Sequence, residues 1–273
     1  MGKTMLELDC MTDLCDLTFK MWDKGWDEGN GGNVSILLDE DEAEQLEKYP
    51  ADMVRTFPIR DIPDNVRGRY FVVTATGSFF QHIKVEPQDL VGVVHIPRVG
   101  DCYEIVAGYE AGGKPTVEFE SHLRSHASRL AVDPSHHVIM HNHSTGIVTM
   151  THCGPTDEKG FTVALWRMVS ESILKFPEGI GFMPWCVCGT EEIGIATAEK
   201  MKNHRVVVWQ YHGVLSSGSS LRNAYGLLEI VDKAAEVYVG SHACAHVNPG
   251  ISDAQLQALA DARGIKPHEG YLG

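Results

Sequence analysis

Val138-Ile-Met-His-Asn-His143 constrains this chain more than any other stretch, because an apolar run of strand length passes directly into His-x-His. Successive side chains of a strand point to opposite faces, so His141 and His143 lie on one side and can grip one ion. A second apolar run, Val206-Val-Val-Trp209, continues through Gln210 and Tyr211 to His212-Gly213. Two strands that each finish in histidine bring three imidazoles together at one edge of a sheet. Three neutral nitrogens bind a borderline cation such as zinc and leave a coordination position open, the pattern of a catalytic rather than a structural site. In a chain of 14 histidines, His-x-His alone does not separate ligands from ordinary histidines; the second run adds the third ligand the pattern needs.

Two other groups compete for a metal. His122 and His126 stand four apart on a predicted helix, a spacing that also holds zinc, yet no acid follows His122 as it would in a helical metalloprotease motif. A helix-surface or packing role is the expectation for them. Cys186-x-Cys188 offers a lone pair of thiols, which cannot complete a site.

Around these motifs the periodicity predicts an α/β protein. Met11, Leu14, Cys15, Thr18, Met21 and Trp22 recur at helical spacing, with Gly25 as a C-cap glycine. Asn30-Gly-Gly-Asn33 then forms a tight segment leading into a strand over 34–38, and a strand over 70–74 ends at Ala75-Thr-Gly-Ser78. Residues 39–69, rich in acids and prolines, read as a peripheral surface excursion that carries short strands of its own. Further strands are expected over 90–96, 103–107, 137–140 and 205–209. Helices are expected over 120–130, 157–174, 191–203 and 221–238, with Thr190 as an N-cap and a Ser252/Gln255 capping box opening a last helix that Gly264 closes. With no repeat or linker in view, residues 1–273 read as a single domain, a mixed sheet with helices on both faces.

Charge and cysteine content narrow the class of partner. The net charge is −14 and the 23 Lys and Arg are scattered, so there is no basic face to displace the counterions of a nucleic acid. Seven cysteines form no evident disulfide framework and suit a reducing compartment. No stretch approaches the about 20 apolar residues of a membrane span, and the first ten residues have no signal-peptide core. A cytoplasmic location is expected.

Asn-Gly-Gly-Asn at 30–33, Thr-Gly-Ser at 76–78, Pro-Thr-x-Glu at 115–118, His-x-His at 141 and 143, and His-Gly at 212 and 213 occur in an order that resembles the class II aldolase family of zinc enzymes acting on sugar phosphates. The likeness extends along nearly the whole chain, through Gly25-Trp-Asp-Glu28, Phe71-Val-Val-Thr74 and Phe176-Pro-Glu-Gly-Ile-Gly-Phe-Met-Pro-Trp185. It implies a central, largely antiparallel sheet with helices on either side, one zinc per subunit, and a ring-shaped homotetramer with active sites between subunits. It also implies Glu118 as the catalytic carboxylate, with Asn30, Gly32, Asn33, Thr76, Gly77 and Thr116 near the substrate and its phosphate. Glu171 is implied to reach in from a neighbouring subunit. Val117 departs from the family pattern, where a serine stands near the phosphate; Ser78 is a candidate replacement.

Aldol cleavage of a 2-ketose phosphate leaves a carbanion beside the carbonyl, for which a bound cation serves as the electron sink. A base must take the C4 hydroxyl proton and an acid must protonate the departing three-carbon fragment. The second task falls to Glu118, the first to Glu171 or Tyr211. With no basic cluster present, glycine-containing loops and small hydroxyls are the expected phosphate holders; as isolated features those loops also read as plain turns, and the two glutamates as solvated charges. Two alternatives share the features: another metal-dependent enzyme of the family, such as an aldolase of a stereoisomeric ketose 1-phosphate or a pentose-phosphate epimerase, and a non-catalytic interaction module. The module has no need to retain three histidines and Glu118 together.

Overall fold

The computed structural model describes residues 2–244 and 248–273. Nine strands, β1 (Asn33–Leu37), β2 (Arg55–Pro58), β3 (Tyr70–Thr74), β4 (Val91–His95), β5 (Cys102–Gly108), β6 (Val138–Asn142), β7 (Gly181–Met183), β8 (Val206–Trp209) and β9 (Gly213–Gly218), form one sheet in the order β2-β5-β4-β3-β1-β6-β9-β8-β7. Every neighbouring pair is antiparallel except β7 with β8. The helices are α1 (Met11–Asp23), α2 (Glu40–Gln45), α3 (Phe80–Ile83), α4 (Pro87–Leu90), α5 (Phe119–Val132), α6 (Thr145–Cys153), α7 (Glu158–Met168), α8 (Ser170–Lys175), α9 (Glu191–Met201), α10 (Leu221–His242) and α11 (Asp253–Ala262). This is the mixed sheet with helices on both faces that the periodicity predicts, with the largely antiparallel pairing that the family resemblance implies.

Strand alternation sorts the core into layers. Val34, Ile36, Val138, Met140, Val206 and Val208 point to one face, against α1, α6, α7 and the long α10. Leu37, Ile139, Val207 and Trp209 point to the other, covered by α5 and α9. Both faces are buried, so these strands read as continuous apolar runs, and the polar residues at their ends are conspicuous for that reason.

Caps and breaks follow local chemistry. Gly25 takes φ +72° just past α1, as a C-terminal glycine does. Thr190 Oγ1 accepts from the Ile193 amide, and Ser252 with Gln255 forms the predicted capping box. The expected helix over 157–174 is instead two helices. Val169 is extended between α7 and α8, and the freed Arg167 carbonyl accepts from the Ile251 amide, so a tertiary partner replaces the helical one.

Residues 39–69 are not peripheral. Ala43, Leu46, Ile59, Ile62 and Val66 are buried, and β2 pairs with β5 as an edge strand of the main sheet. Its acids and prolines obscure that role because an edge strand exposes alternate residues and tolerates proline, here Pro58. All seven cysteines are free. Among the described residues no helix is long and apolar enough to cross a membrane.

Candidate metal centre

The register of the sheet assembles the site. Asn33, first residue of β1, lies directly opposite His141 near the end of β6, and on the other side of β6 Asn142 lies opposite Val214 in β9. The start of β1, the end of β6 and the β8–β9 connection therefore meet at one end of the strands. His212 is not the end of a strand, as the sequence suggests, but lies in the tight turn joining β8 to β9. Its amide bonds to the Trp209 carbonyl at 3.1 Å, and Tyr211 takes the left-handed conformation, φ +62°. Gly213 is demanded there: a Cβ would lie 2.3 Å from the Asn142 carbonyl oxygen and 3.0 Å from a ring carbon of His141.

His141, His143 and His212 place one ligand atom each within 4.8 Å of one another, the one such cluster of His, Cys, Asp and Glu among the described residues. Their ring centroids are 4.9 to 5.1 Å apart. Two of the rings are held in the tautomer that frees Nε2. His141 Nδ1 donates to the Val214 carbonyl at 3.1 Å, and His143 Nδ1 donates to Glu28 Oε1 at 2.8 Å. The His141 Nε2 is buried and has no hydrogen-bond partner. An orphaned imidazole nitrogen facing two further imidazoles is costly without a cation and satisfied by one, so these residues fit a metal. Burial favours the neutral, ligating form as well, pushing His141 far down and His212 to about 4, with neighbouring His143 adding to both.

His122, His126 and the Cys186–Cys188 pair stand outside this cluster. Both histidines are fully buried under the sheet rather than on a helix surface, bonded to Ser35.

The carboxylate comes from the other half of the sheet. Hydrogen bonds from the Thr76 amide to the Lys114 carbonyl (2.9 Å) and from the Thr116 amide to the Thr74 carbonyl (3.0 Å) zip the loop after β3 to the loop before α5. Glu118 follows as the residue that opens α5. Its Oε2 accepts from Asn33 Nδ2 at 2.7 Å and lies 3.8 Å from His141 Nε2. Burial raises the Glu118 pKa, opposed by the Asn33 hydrogen bond and the nearby His143. A carboxyl group so displaced toward neutral pH suits proton transfer in either direction.

One pocket of about 120 Å³ is lined by Asn30, Gly31, Gly32, Asn33, Ala75, Thr76, Gly77, Thr116, Val117, Glu118 and the three histidines. The anticipated metal ligands, Glu118 and the six loop residues all lie on it. Glu171, exposed on α8, is not brought to the pocket within one chain, and the alternative candidates Ser78, which is buried, and Tyr211, which is exposed in the β8–β9 turn, do not line it either. Gly32 is required by closeness and conformation together: at φ +76° its Cβ would fall 1.9 Å from Asp27 Oδ1. No lysine or arginine lines the pocket. A larger cavity of about 600 Å³ near α7 and α10 carries no comparable cluster, so chemistry rather than size singles out the site.

Two supporting residues escaped the sequence reading. Glu28 orients His143, a carboxylate–histidine arrangement common at metal sites. Asp232 of α10 is buried and accepts from Trp26 Nε1 at 2.9 Å, the Gly146 amide at 3.1 Å and Ser144 Oγ. Because the His143 amide in turn donates to the Trp26 carbonyl, Asp232 pins the segment that carries His143. Neither is visible as a motif, since each acts across more than 80 residues of chain.

This chain belongs to the class II aldolase and adducin N-terminal domain family, matching it over residues 12–239. Across its full length it is 39% identical to the rhamnulose-1-phosphate aldolase of Listeria innocua serovar 6a, covering 100% of this chain and 99% of that protein. It is 40% identical to the rhamnulose-1-phosphate aldolase of Enterococcus faecalis over 98% of this chain and 96% of that one. Among solved structures, a sugar-phosphate aldolase from Thermotoga maritima superposes with a TM-score of 0.72 at 28% identity, covering 89% of this chain and 98% of that chain.

Proposed function

We propose that this chain cleaves L-rhamnulose 1-phosphate to dihydroxyacetone phosphate and L-lactaldehyde. The observation that carries the reading is the convergence, in one pocket without lysine or arginine, of three histidines, a buried carboxylate and two glycine-containing loops. The full-length likeness to proteins named rhamnulose-1-phosphate aldolase selects the substrate. The chain is a class II, metal-dependent aldolase, and residues 1–273 act as one domain.

His141, His143 and His212 hold the metal, which is zinc on the chemistry of three neutral imidazoles with an open position. When bound, zinc supplies Lewis-acid stabilisation of the negative charge that develops beside the substrate carbonyl. Glu118 carries the proton to and from the three-carbon fragment. Asn30, Gly32, Asn33, Thr76, Gly77 and Thr116 hold the substrate and its phosphate. The amides of Thr76 and Thr116 are already used by the Lys114 and Thr74 carbonyls, so these two residues offer their hydroxyls. Thr116 Oγ1 accepts from the Glu118 amide at 3.3 Å, leaving its own proton free to donate. Val117, 69% exposed, contributes no hydroxyl.

The active assembly is a homotetramer in the cytoplasm, with Glu171 of the partner subunit completing each site. This accounts for a glutamate that lies outside its own chain's pocket. Mixing inactive Glu118→Gln protein with inactive Glu171→Gln protein should regenerate wild-type sites once subunits exchange. Verified exchange with no recovery of turnover places both carboxylates in one chain's site.

Substrate choice is tested by kcat/KM for L-rhamnulose, L-fuculose and D-fructose 1-phosphates under one set of conditions. The metal and the phosphate loops read the carbonyl and phosphate that these ketose phosphates share, so discrimination falls on the stereocentres from C3 onward and on the aldehyde half. A misplaced hydroxyl there leaves a buried polar group unpaired, at about 1 to 3 kcal/mol. L-rhamnulose 1-phosphate should therefore lead by roughly tenfold to a hundredfold. A preference for L-fuculose 1-phosphate overturns the substrate and spares the metal chemistry. Epimerisation of a pentose phosphate without cleavage overturns the reaction.

A further inference from the structure

Beneath the pocket, on the α5 face of the sheet, three fully buried polar side chains outside the metal cluster join Asn33 and Glu118 in one continuous hydrogen-bonded chain. His126 Nε2 lies 2.8 Å from Ser35 Oγ, which lies 2.7 Å from His122 Nδ1. His122 Nε2 lies 2.5 Å from Asn33 Oδ1, and Asn33 Nδ2 donates to Glu118 Oε2 at 2.7 Å.

Each proton in the chain can be assigned in turn. An amide oxygen only accepts, so His122 Nε2 carries the hydrogen. Burial keeps His122 neutral by pushing its pKa down to about 3, so its Nδ1 is bare and takes the single hydroxyl proton of Ser35. Ser35 Oγ is left to accept, and the hydrogen on that bond belongs to His126 Nε2. His126 Nδ1 ends the chain, buried and without a partner. All the bonds then run in one sense, from His126 toward Glu118. The opposite sense would turn the Asn33 amide over, face its oxygen to the carboxylate and strand a buried N–H at His126, and orphaned buried N–H groups are rarer than under-satisfied acceptors.

We propose that His122, Ser35 and His126 are positioning residues: they lock the Asn33 amide with its N–H groups toward Glu118 and so hold that carboxylate at one orientation beside the metal ligands. Packing alone does not call for them, since apolar groups of the same shape would fill a helix–sheet interface at little or no loss of stability. The inference rests on the reading of Glu118 as the proton carrier.

The test uses the metal-loaded enzyme and L-rhamnulose 1-phosphate. Ser35→Ala removes one oxygen from the middle of the chain with minimal change of volume. It should lower kcat roughly 5-fold to 100-fold, with KM changed by less than about threefold and metal content as in the wild type. His122→Gln, which keeps a donor within reach of Asn33 Oδ1, should retain several-fold more kcat than His122→Leu. Histidine 15N NMR of the wild type should show His122 and His126 as neutral Nε2–H tautomers, assigned by the signals lost in His122→Gln and His126→Gln. Wild-type kcat in Ser35→Ala, equal losses in the two His122 variants, or an Nδ1–H tautomer at His122 overturns the proposal. A wild-type protein that does not cleave the sugar phosphate overturns the functional reading and the catalytic role together, while the tautomers still report on the chain itself.

Discussion

His141→Ala is expected to abolish metal retention and turnover together. The side chain is 1% exposed, its Nδ1 is committed to the Val214 carbonyl, and its Nε2 has no partner within the protein. Removing it leaves two imidazoles, His143 and His212, where a catalytic zinc site uses three protein ligands. Loss of a supporting hydrogen bond to a ligand already costs about 10-fold to 100-fold in affinity, and loss of the ligand itself should exceed that. Metal analysis of the wild type should find about one equivalent per chain and of the variant almost none. Full metal content with normal turnover in His141→Ala would show that the cluster is not the metal site. His122→Gln serves as the control that keeps its metal, because His122 bonds to Ser35 and Asn33 rather than to the cluster.

Glu118→Gln should leave a folded, metal-loaded protein slowed by roughly 100-fold to 10,000-fold, the range for loss of a general acid–base group. The exchange keeps the shape of the side chain, and the amide oxygen can still accept from Asn33 Nδ2 as Oε2 does now. What it removes is a group that can lose and regain a proton. Burial raises the Glu118 pKa above its ordinary value, against the Asn33 hydrogen bond and His143, and so eases the uptake of a proton. The measurement is kcat with the metal content checked in the same preparation. Near-normal turnover rules out proton transfer by Glu118 and leaves it a merely structural acceptor at the head of α5.

Much of this site was legible along the chain because its pieces are local. His-x-His after an apolar run, Gly31-Gly32 before one and Thr76-Gly77 after another each carry their geometry in adjacent residues. Strand alternation and turn chemistry operate over two to four positions, within reach of a sequence reading. The same locality explains the clean helix ends at Gly25, Thr190 and Ser252.

Errors arose where a distant partner outweighed the local preference. Val169 sits in a run of good helical periodicity, yet the segment around Ile251 takes the backbone bond that continuing the helix would have made. Residues 55–58 belong to a stretch that reads as a peripheral excursion with short strands of its own, until β5 supplies an edge of the main sheet for them to pair with. His122 and His126 carry helical spacing from which a helix-surface or a packing role is expected, without a local signal to separate the two. Ser35, 87 residues from His122 in sequence, decides that they face inward and bond to each other's neighbour.

The sequence by itself determined the kinds of chemistry available here: imidazoles in pairs and singly, carboxylates, and small glycine-containing loops with no cationic residue among them. It also determined which strands would be buried on both faces, because a continuous apolar run admits little else. Only the tertiary structure decided that β1 lies between β3 and β6, so that Asn33 faces His141 across the register and Glu118 arrives beside it from α5. Strand order is set by packing among segments as far apart in sequence as Asn33 and His141, a free-energy balance that no short window of residues contains.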